Sequence, residues 1–189
     1  MNSEGYVSVI GQGQYEQLQR TIFANANRRT YAVLDGAIID GLPLLLQRHA
    51  PDAMCLFSGQ LDPMLEAAAP YLVELKANTG IAQVALRDGW NDHWGIVLVT
   101  DPGTDPYALR AHLRRILRVA VPGGQSMFFR FYDPRAFRAV VPTFDDEQRK
   151  AFFGPIHGCY VEGRGKDAAL YYARDTGPEP RTHALAVAA

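Results

Sequence analysis

The sequence predicts an α/β domain with a mainly parallel sheet and flanking helices, carrying a small C-terminal helical and β-hairpin appendage. Short apolar runs at residues 31–34, 53–57 and 94–99 each stop at a turn pair, Asp35-Gly36, Ser58-Gly59 and Thr100-Asp101. Between these runs, apolar residues recur at helical spacing. Alternation of strand and helix through residue 135 implies parallel neighbours, because parallel strands need helical crossovers. A chain of 189 residues has room for one sizeable core and a small lobe. The expected division is an α/β lobe over 1–142, a helix and hairpin over 143–175, and a tail over 176–189 whose aperiodic Gly, Pro, Glu, Arg, Thr and Ala predict disorder.

Each element has a local reason. In residues 14–27, Tyr15, Leu18, Ile22 and Ala26 form an apolar stripe with Glu16, Gln19 and Arg20 between them, as in a helix lying on a core. Residues 31–34 make the first strand. Residues 40–49, with Leu42, Leu44, Leu45 and Leu46, read as a buried helix ending before Pro51. A second strand over 53–57, a short helix over 63–69 and a weakly alternating strand over 71–75 follow. Residues 79–89 read as a helix turning Ile81, Val84, Ala85 and Leu86 inward, and 94–99 as an apolar strand. Asp105-Pro106 then opens a helix with a buried stripe of Leu109, Leu113, Ile116 and Leu117: proline suits the first turn, and the aspartate is placed to cap it. After Pro122-Gly123-Gly124, the aromatic run from Met127 to Tyr132 reads as a buried strand, closed by Asp133-Pro134-Arg135. A short helix from Pro134 stops at Pro142. Thr143 with Asp146 resembles a capping box for a helix through Phe153, and the runs 159–161 and 169–173 suit a terminal hairpin.

Composition narrows the classes of function. With 19 basic and 20 acidic residues the net charge is -1, which gives no global attraction to nucleic acid or to an anionic membrane. The N-terminus lacks the basic and apolar regions of a secretory signal, no apolar run reaches membrane-spanning length, and the two cysteines, Cys55 and Cys159, sit in apolar neighbourhoods. A cytoplasmic, reducing setting without a disulfide is expected. Gly11-Gln12-Gly13 lacks the third glycine and the preceding strand of a dinucleotide fingerprint. The five histidines do not recur at metal-ligand spacing, and neither Ser58 nor Ser126 lies in a nucleophile elbow.

Two groups of charged residues stand out. In a parallel sheet, Asp35, Asp101 and Asp133 all fall just past the carboxyl ends of strands, where α/β sheets bind ligands. With Arg130 or Arg135 to meet a phosphate, they would suit a magnesium-dependent phosphoryl-transfer or phosphohydrolase enzyme. Against this, aspartates after strands commonly serve as turn residues and caps, and no phosphate-cradling loop accompanies them. Asp35, Arg130, Asp133 and Arg135 balance in charge and suit an internal polar clamp, since a guanidinium inside an aromatic run is costly without a carboxylate. The second group is a basic ridge: Arg110, Arg114 and Arg118 at four-residue steps opposite the apolar stripe, with Arg115 beside them. Such a ridge is either a solvated face or a docking surface for an acidic partner.

An ordered series of segments carries a resemblance. Tyr-Ala-Val-Leu-Asp-Gly-Ala at 31–37, Cys-Leu-Phe-Ser-Gly at 55–59, Ala-Pro-Tyr-Leu-Val at 69–73, Trp94-Gly95, His-Leu-Arg-Arg-Ile-Leu-Arg-Val at 112–119, Arg-Phe-Tyr-Asp-Pro-Arg at 130–135 and Phe-Phe-Gly-Pro at 152–155 follow one another as in the effector-adaptor family of bacterial type VI secretion. The resemblance spans residues 28–157. It implies a non-enzymatic, cytoplasmic chaperone without a cofactor, which holds a toxic effector and promotes its loading onto the valine-glycine-repeat spike protein. It implies these two protein partners and neither nucleic acid nor membrane. It assigns no contact residue, and the region after Pro155 is short beside relatives with a larger C-terminal lobe.

Overall fold

The computed structural model describes residues 10–120 and 124–185. Helix α1 (Gln12–Ile22) precedes strand β1 (Arg29–Asp35), α2 (Leu42–His49), β2 (Met54–Cys55), α3 (Pro63–Ala67) and β3 (Pro70–Leu75). Next come α4 (Gly80–Gln83), which continues into a π-helical turn at Val84–Asp88, and β4 (Gly95–Thr100). Then follow α5 (Pro106–Ile116), β5 (Arg118–Ala120), β6 (Ser126–Phe128), α6 (Pro134–Val140), α7 (Asp146–Phe153), β7 (Ile156–Glu162), β8 (Ala168–Ala173) and β9 (Arg181–Ala184).

The expected parallel sheet is not what forms. A seven-stranded sheet has the order β2-β3-β1-β4-β7-β8-β9, and every pairing in it is antiparallel. The helical crossovers that suggested parallel neighbours are present, but another strand lies between the strands they join. β1 and β2 run the same way and are joined through α2, yet β3 sits between them. β3 and β4 also run the same way and are joined through α4, with β1 between them. This is the split β-α-β arrangement, and the order 2-3-1-4 is that of a β-α-β-β-α-β unit. Periodicity reports which residues are strand and helix, and it cannot report an inserted neighbour.

β1 is the axis. Its residues from Thr30 onward are buried, because it has strands on both edges and helices on both faces. Ala32 and Leu34 point into one core with Leu18 and Ile22 of α1, Leu42 and Leu46 of α2, and Ile81 and Leu86. Tyr31 and Val33 point into the other, with Leu109 and Leu113 of α5, Phe137 of α6, and Phe152 and Phe153 of α7. Gly95 is required where β4 passes β1, since a Cβ there would stand 2.0 Å from the Val33 carbonyl oxygen.

The C-terminal strands extend the same sheet, with β7 pairing directly on β4. The tail from Thr176, expected to be disordered, supplies β9, paired with β8 from Tyr171↔Arg181 to Ala168↔Ala184. Residues 1–9, 121–123 and 186–189, which include the N-terminal segment, part of the Pro-Gly-Gly loop and the end of the tail, lie outside the described residues.

The aromatic run also departs from expectation. Only Ser126–Phe128 is strand, and it pairs with β5 in a separate two-stranded hairpin. Phe129, Phe131 and Tyr132 are buried without joining the large sheet. Proline-opened helices behave as read, with Asp105 accepting from the Tyr107 and Ala108 amides and Asp133 from the Arg135 amide. For α7 the cap is Asp145 rather than Thr143, closed reciprocally by Gln148.

Candidate functional site

Two parts of the molecule concentrate the charged residues that the sequence singles out. The first is a corner at one end of the sheet, built where β1 ends. Asp35 is fully buried, and its carboxylate pairs with Arg130 and accepts the Ala37 amide at 3.0 Å. Burial alone would lower the Arg130 pKa, and the Asp35 carboxylate outweighs that and raises it. The guanidinium also lies over the Tyr132 ring, 5.9 Å from its centroid. Burial, and after it the Asp35 charge, push the Tyr132 hydroxyl far above its usual range. Beside this pair, Arg135 grips Asp133 through two hydrogen bonds of 3.0 and 2.8 Å, while the same carboxylate caps α6 through the Arg135 amide at 2.9 Å. Burial would raise the Asp133 carboxyl, but these bonds prevail and hold it below the usual carboxylate range. The four residues of the expected clamp therefore form two ion pairs, Asp35 with Arg130 and Asp133 with Arg135.

The antiparallel sheet separates the third carboxylate from them. Arg29 on β1 lies opposite Thr100 on β4, so Asp101 follows β4 at the end of the sheet where β1 begins. Six strand residues at about 3.4 Å each put it roughly 20 Å from Asp35. There Asp101 pairs with Arg28. Among the described residues no group of three or more His, Cys, Asp or Glu side chains is placed to hold a metal ion. The residues singled out for magnesium do not fit it: one is across the sheet, and the other two are each engaged by an arginine.

Sequence reading missed a neighbour of this corner. Glu162, at the end of β7 and only 2% exposed, accepts from the Asn91 amide at 2.6 Å and the His93 amide at 3.4 Å and pairs with the His93 ring. Asn91 and His93 both have left-handed backbone, which turns their amides onto the carboxylate. Burial raises the Glu162 pKa despite these partners. A glutamate closing an apolar strand run was the available signal.

The second part surrounds the β5–β6 hairpin. Cross-strand pairing sets Val119 opposite Met127, and Arg118 opposite Phe128. Since successive residues face opposite ways, Met127 and Phe128 lie on opposite faces, and both are open to solvent at 54% and 46% exposure. Each face borders a groove. One, of about 580 Å³, runs between α5, the hairpin and α7, with Ile116, Val119, Met127, Phe129, Val140 and Phe144 among its walls. The other, of about 610 Å³, is walled by Phe57, Leu61, Leu65, Leu117 and Phe128. Arg115 and Arg118 border both, and Arg114 the second.

Of the four arginines in the basic ridge, Arg110 is held in place by donating to the Cys55 carbonyl at 2.7 Å. Arg114, Arg115 and Arg118 make no ion pair among the described residues. In the first groove His112 donates from Nε2 to the Phe152 carbonyl oxygen, 2.7 Å away, and burial lowers its pKa, so it is biased toward the neutral ring. The hairpin was hidden because β5 directly continues the α5 pattern, with one residue between them.

Cys55 and Cys159 are both free thiols. No helix among the described residues is long and apolar enough to cross a membrane. In comparison with known families, the model of a domain of unknown function (DUF4123) matches residues 30–151. No curated protein and no solved structure matches the chain.

Proposed function

The chain belongs to the DUF4123 family, and from that premise we propose that it is a non-enzymatic adaptor of type VI secretion, holding a toxic effector and promoting its loading onto the valine-glycine-repeat spike protein. The observation that carries the reading is the β5–β6 hairpin, apolar and exposed on both faces and flanked by two grooves. Contiguous exposed apolar surface on a folded chain marks an interaction site. A two-stranded hairpin is also marginal alone and gains from a partner that covers it. The ordered motif series from residue 31 to 155, read as the effector-adaptor signature, supports the same conclusion.

Co-expression with candidate toxin and spike proteins drawn from its neighbouring genes tests this. Affinity capture of the tagged toxin is expected to retain the chain, and the spike protein is expected to join the pair. The reading fails if toxin and spike purify together at full yield in the absence of the chain, or if neither retains it.

A further inference from the structure

The chemistry of the groove between α5, the hairpin and α7 points to a particular kind of occupant. We propose that it takes an acidic amphipathic helix of a partner protein, with an apolar stripe in the groove and carboxylates directed at Arg115 and Arg118. This rests on the adaptor reading for the identity of the partner and on the groove itself for its chemistry.

Three observations converge. The first is where apolar surface is left open: Met127 and Val140 line this groove, and Leu65 and Phe128 the adjoining one, so four of the eight exposed large apolar side chains among the described residues meet around one hairpin. The second is charge. The charged residues on the walls of the two grooves are Arg114, Arg115 and Arg118, with no aspartate or glutamate among them. The acidic first turn of α7, Asp146 and Glu147, lies outside the lining, and α7 presents Gln148 and Ala151 instead. The acidic edge of an occupant is therefore drawn to the α5 side and its uncharged edge to α7. The third concerns the backbone. Ile116, Val140, Phe144, Ala151 and Phe152 reach the groove from helices and the connections after them, so an occupant against these walls meets side chains and must satisfy its own amides and carbonyls. A helix does so internally, which favours the helix-in-groove mode over strand addition.

Binding of synthetic peptides to the full chain, followed by isothermal titration calorimetry, tests the assignment. The probe has leucines at i, i+3, i+4 and i+7 with flanking glutamates; one control replaces every glutamate with lysine, and another keeps the composition but scrambles the spacing. The glutamate peptide is expected to bind saturably and both controls about tenfold or more weakly. Arg115→Glu with Arg118→Glu is expected to reverse the preference between the glutamate and lysine peptides. Val140→Asp, at an exposed site, is expected to abolish binding with an unchanged melting curve.

Equal affinity for the glutamate and lysine peptides, no saturable binding, or binding indifferent to Val140→Asp would overturn the proposal. Toxin capture that survives Arg115→Glu, Arg118→Glu and Val140→Asp together removes the groove assignment and leaves the adaptor. Charge-selective peptide binding without toxin capture supports the groove and removes the adaptor.

Discussion

The corner at the end of β1 and the surface around the β5–β6 hairpin hold comparable numbers of arginines and treat them in opposite ways. In the corner each arginine has a carboxylate: Arg130 has Asp35, and Arg135 has Asp133. Around the hairpin, Arg114, Arg115 and Arg118 have none among the described residues, and the apolar side chains beside them stay open. Charge that is satisfied internally is spent on holding the fold. Charge left unpaired beside exposed apolar surface is available to something else. The motif that is conspicuous in the sequence, Asp133-Pro134-Arg135, thus belongs to the architecture, whereas the proposed docking surface comes from residues that looked like a strand and a helix end.

The largest effect expected from this contrast is in the corner. Arg130→Ala leaves Asp35 fully buried with the Ala37 amide as its remaining hydrogen-bond donor, and an uncompensated buried charge costs about 3 kcal/mol. Asp35→Ala should cost less, because the Arg130 side chain is 39% exposed and keeps access to water when its partner goes. Urea denaturation of both variants checks the order, and equal or reversed losses would show that the pair is not organised around the buried carboxylate. Gly36→Ala comes next. Its Cβ would stand 2.3 Å from the Ala67 carbonyl oxygen and 2.5 Å from that of Ala69, so backbone must shift at a cost of about 2 kcal/mol.

Asp133→Asn is expected to lose about 1–2 kcal/mol at neutral pH, from a weakened cap and a lost pair whose arginine is half-exposed. The sign with pH follows from the depressed carboxyl. The folded chain holds Asp133 ionised below the unfolded pKa of about 3.9, so its contribution is present above that value and is lost as pH falls through the folded pKa. The stability gap between wild type and Asp133→Asn should therefore close in acid, and a gap constant from neutral pH to well below the carboxylate range would contradict the ion-pair account.

Most elements were legible in the sequence because each has a local cause. Asp105-Pro106 and Asp133-Pro134 announced helix starts by cap and ring, and the stripe of Leu109 and Leu113 announced the buried face. Strand direction was not legible. Residues 31–34 and 94–99 are apolar throughout because β1 and β4 are covered on both faces, the same signature a parallel strand gives. In the candidate site the arginines of the ridge could be read from four-residue spacing, but the grooves could not. They arise from β5 turning away immediately after α5 and from residues as distant as Val140 and Phe152 closing the far wall. Glu162 was missed for a related reason, since its partners on the Asn91–His93 loop are brought to it only by the β4–β7 pairing.

The smallest effects on stability are expected at the hairpin, and there the smallness is informative. Phe128 packs edge-on against Phe57 with ring centroids 5.9 Å apart, so Phe128→Ser should cost about 1 kcal/mol. Met127 has more than half its surface in water, and Met127→Ser should change stability by no more than about 0.5 kcal/mol. If these side chains belonged to the core as the corner aromatics do, each substitution would cost about 2–5 kcal/mol, as large-to-small changes do in packed interiors. Thermal melts of the two variants therefore decide between the two descriptions of the hairpin. Small losses leave Met127 and Phe128 as surface held ready for a partner, and losses of core size would make the hairpin another piece of the architecture, with Arg114, Arg115 and Arg118 an ordinary solvated face beside it.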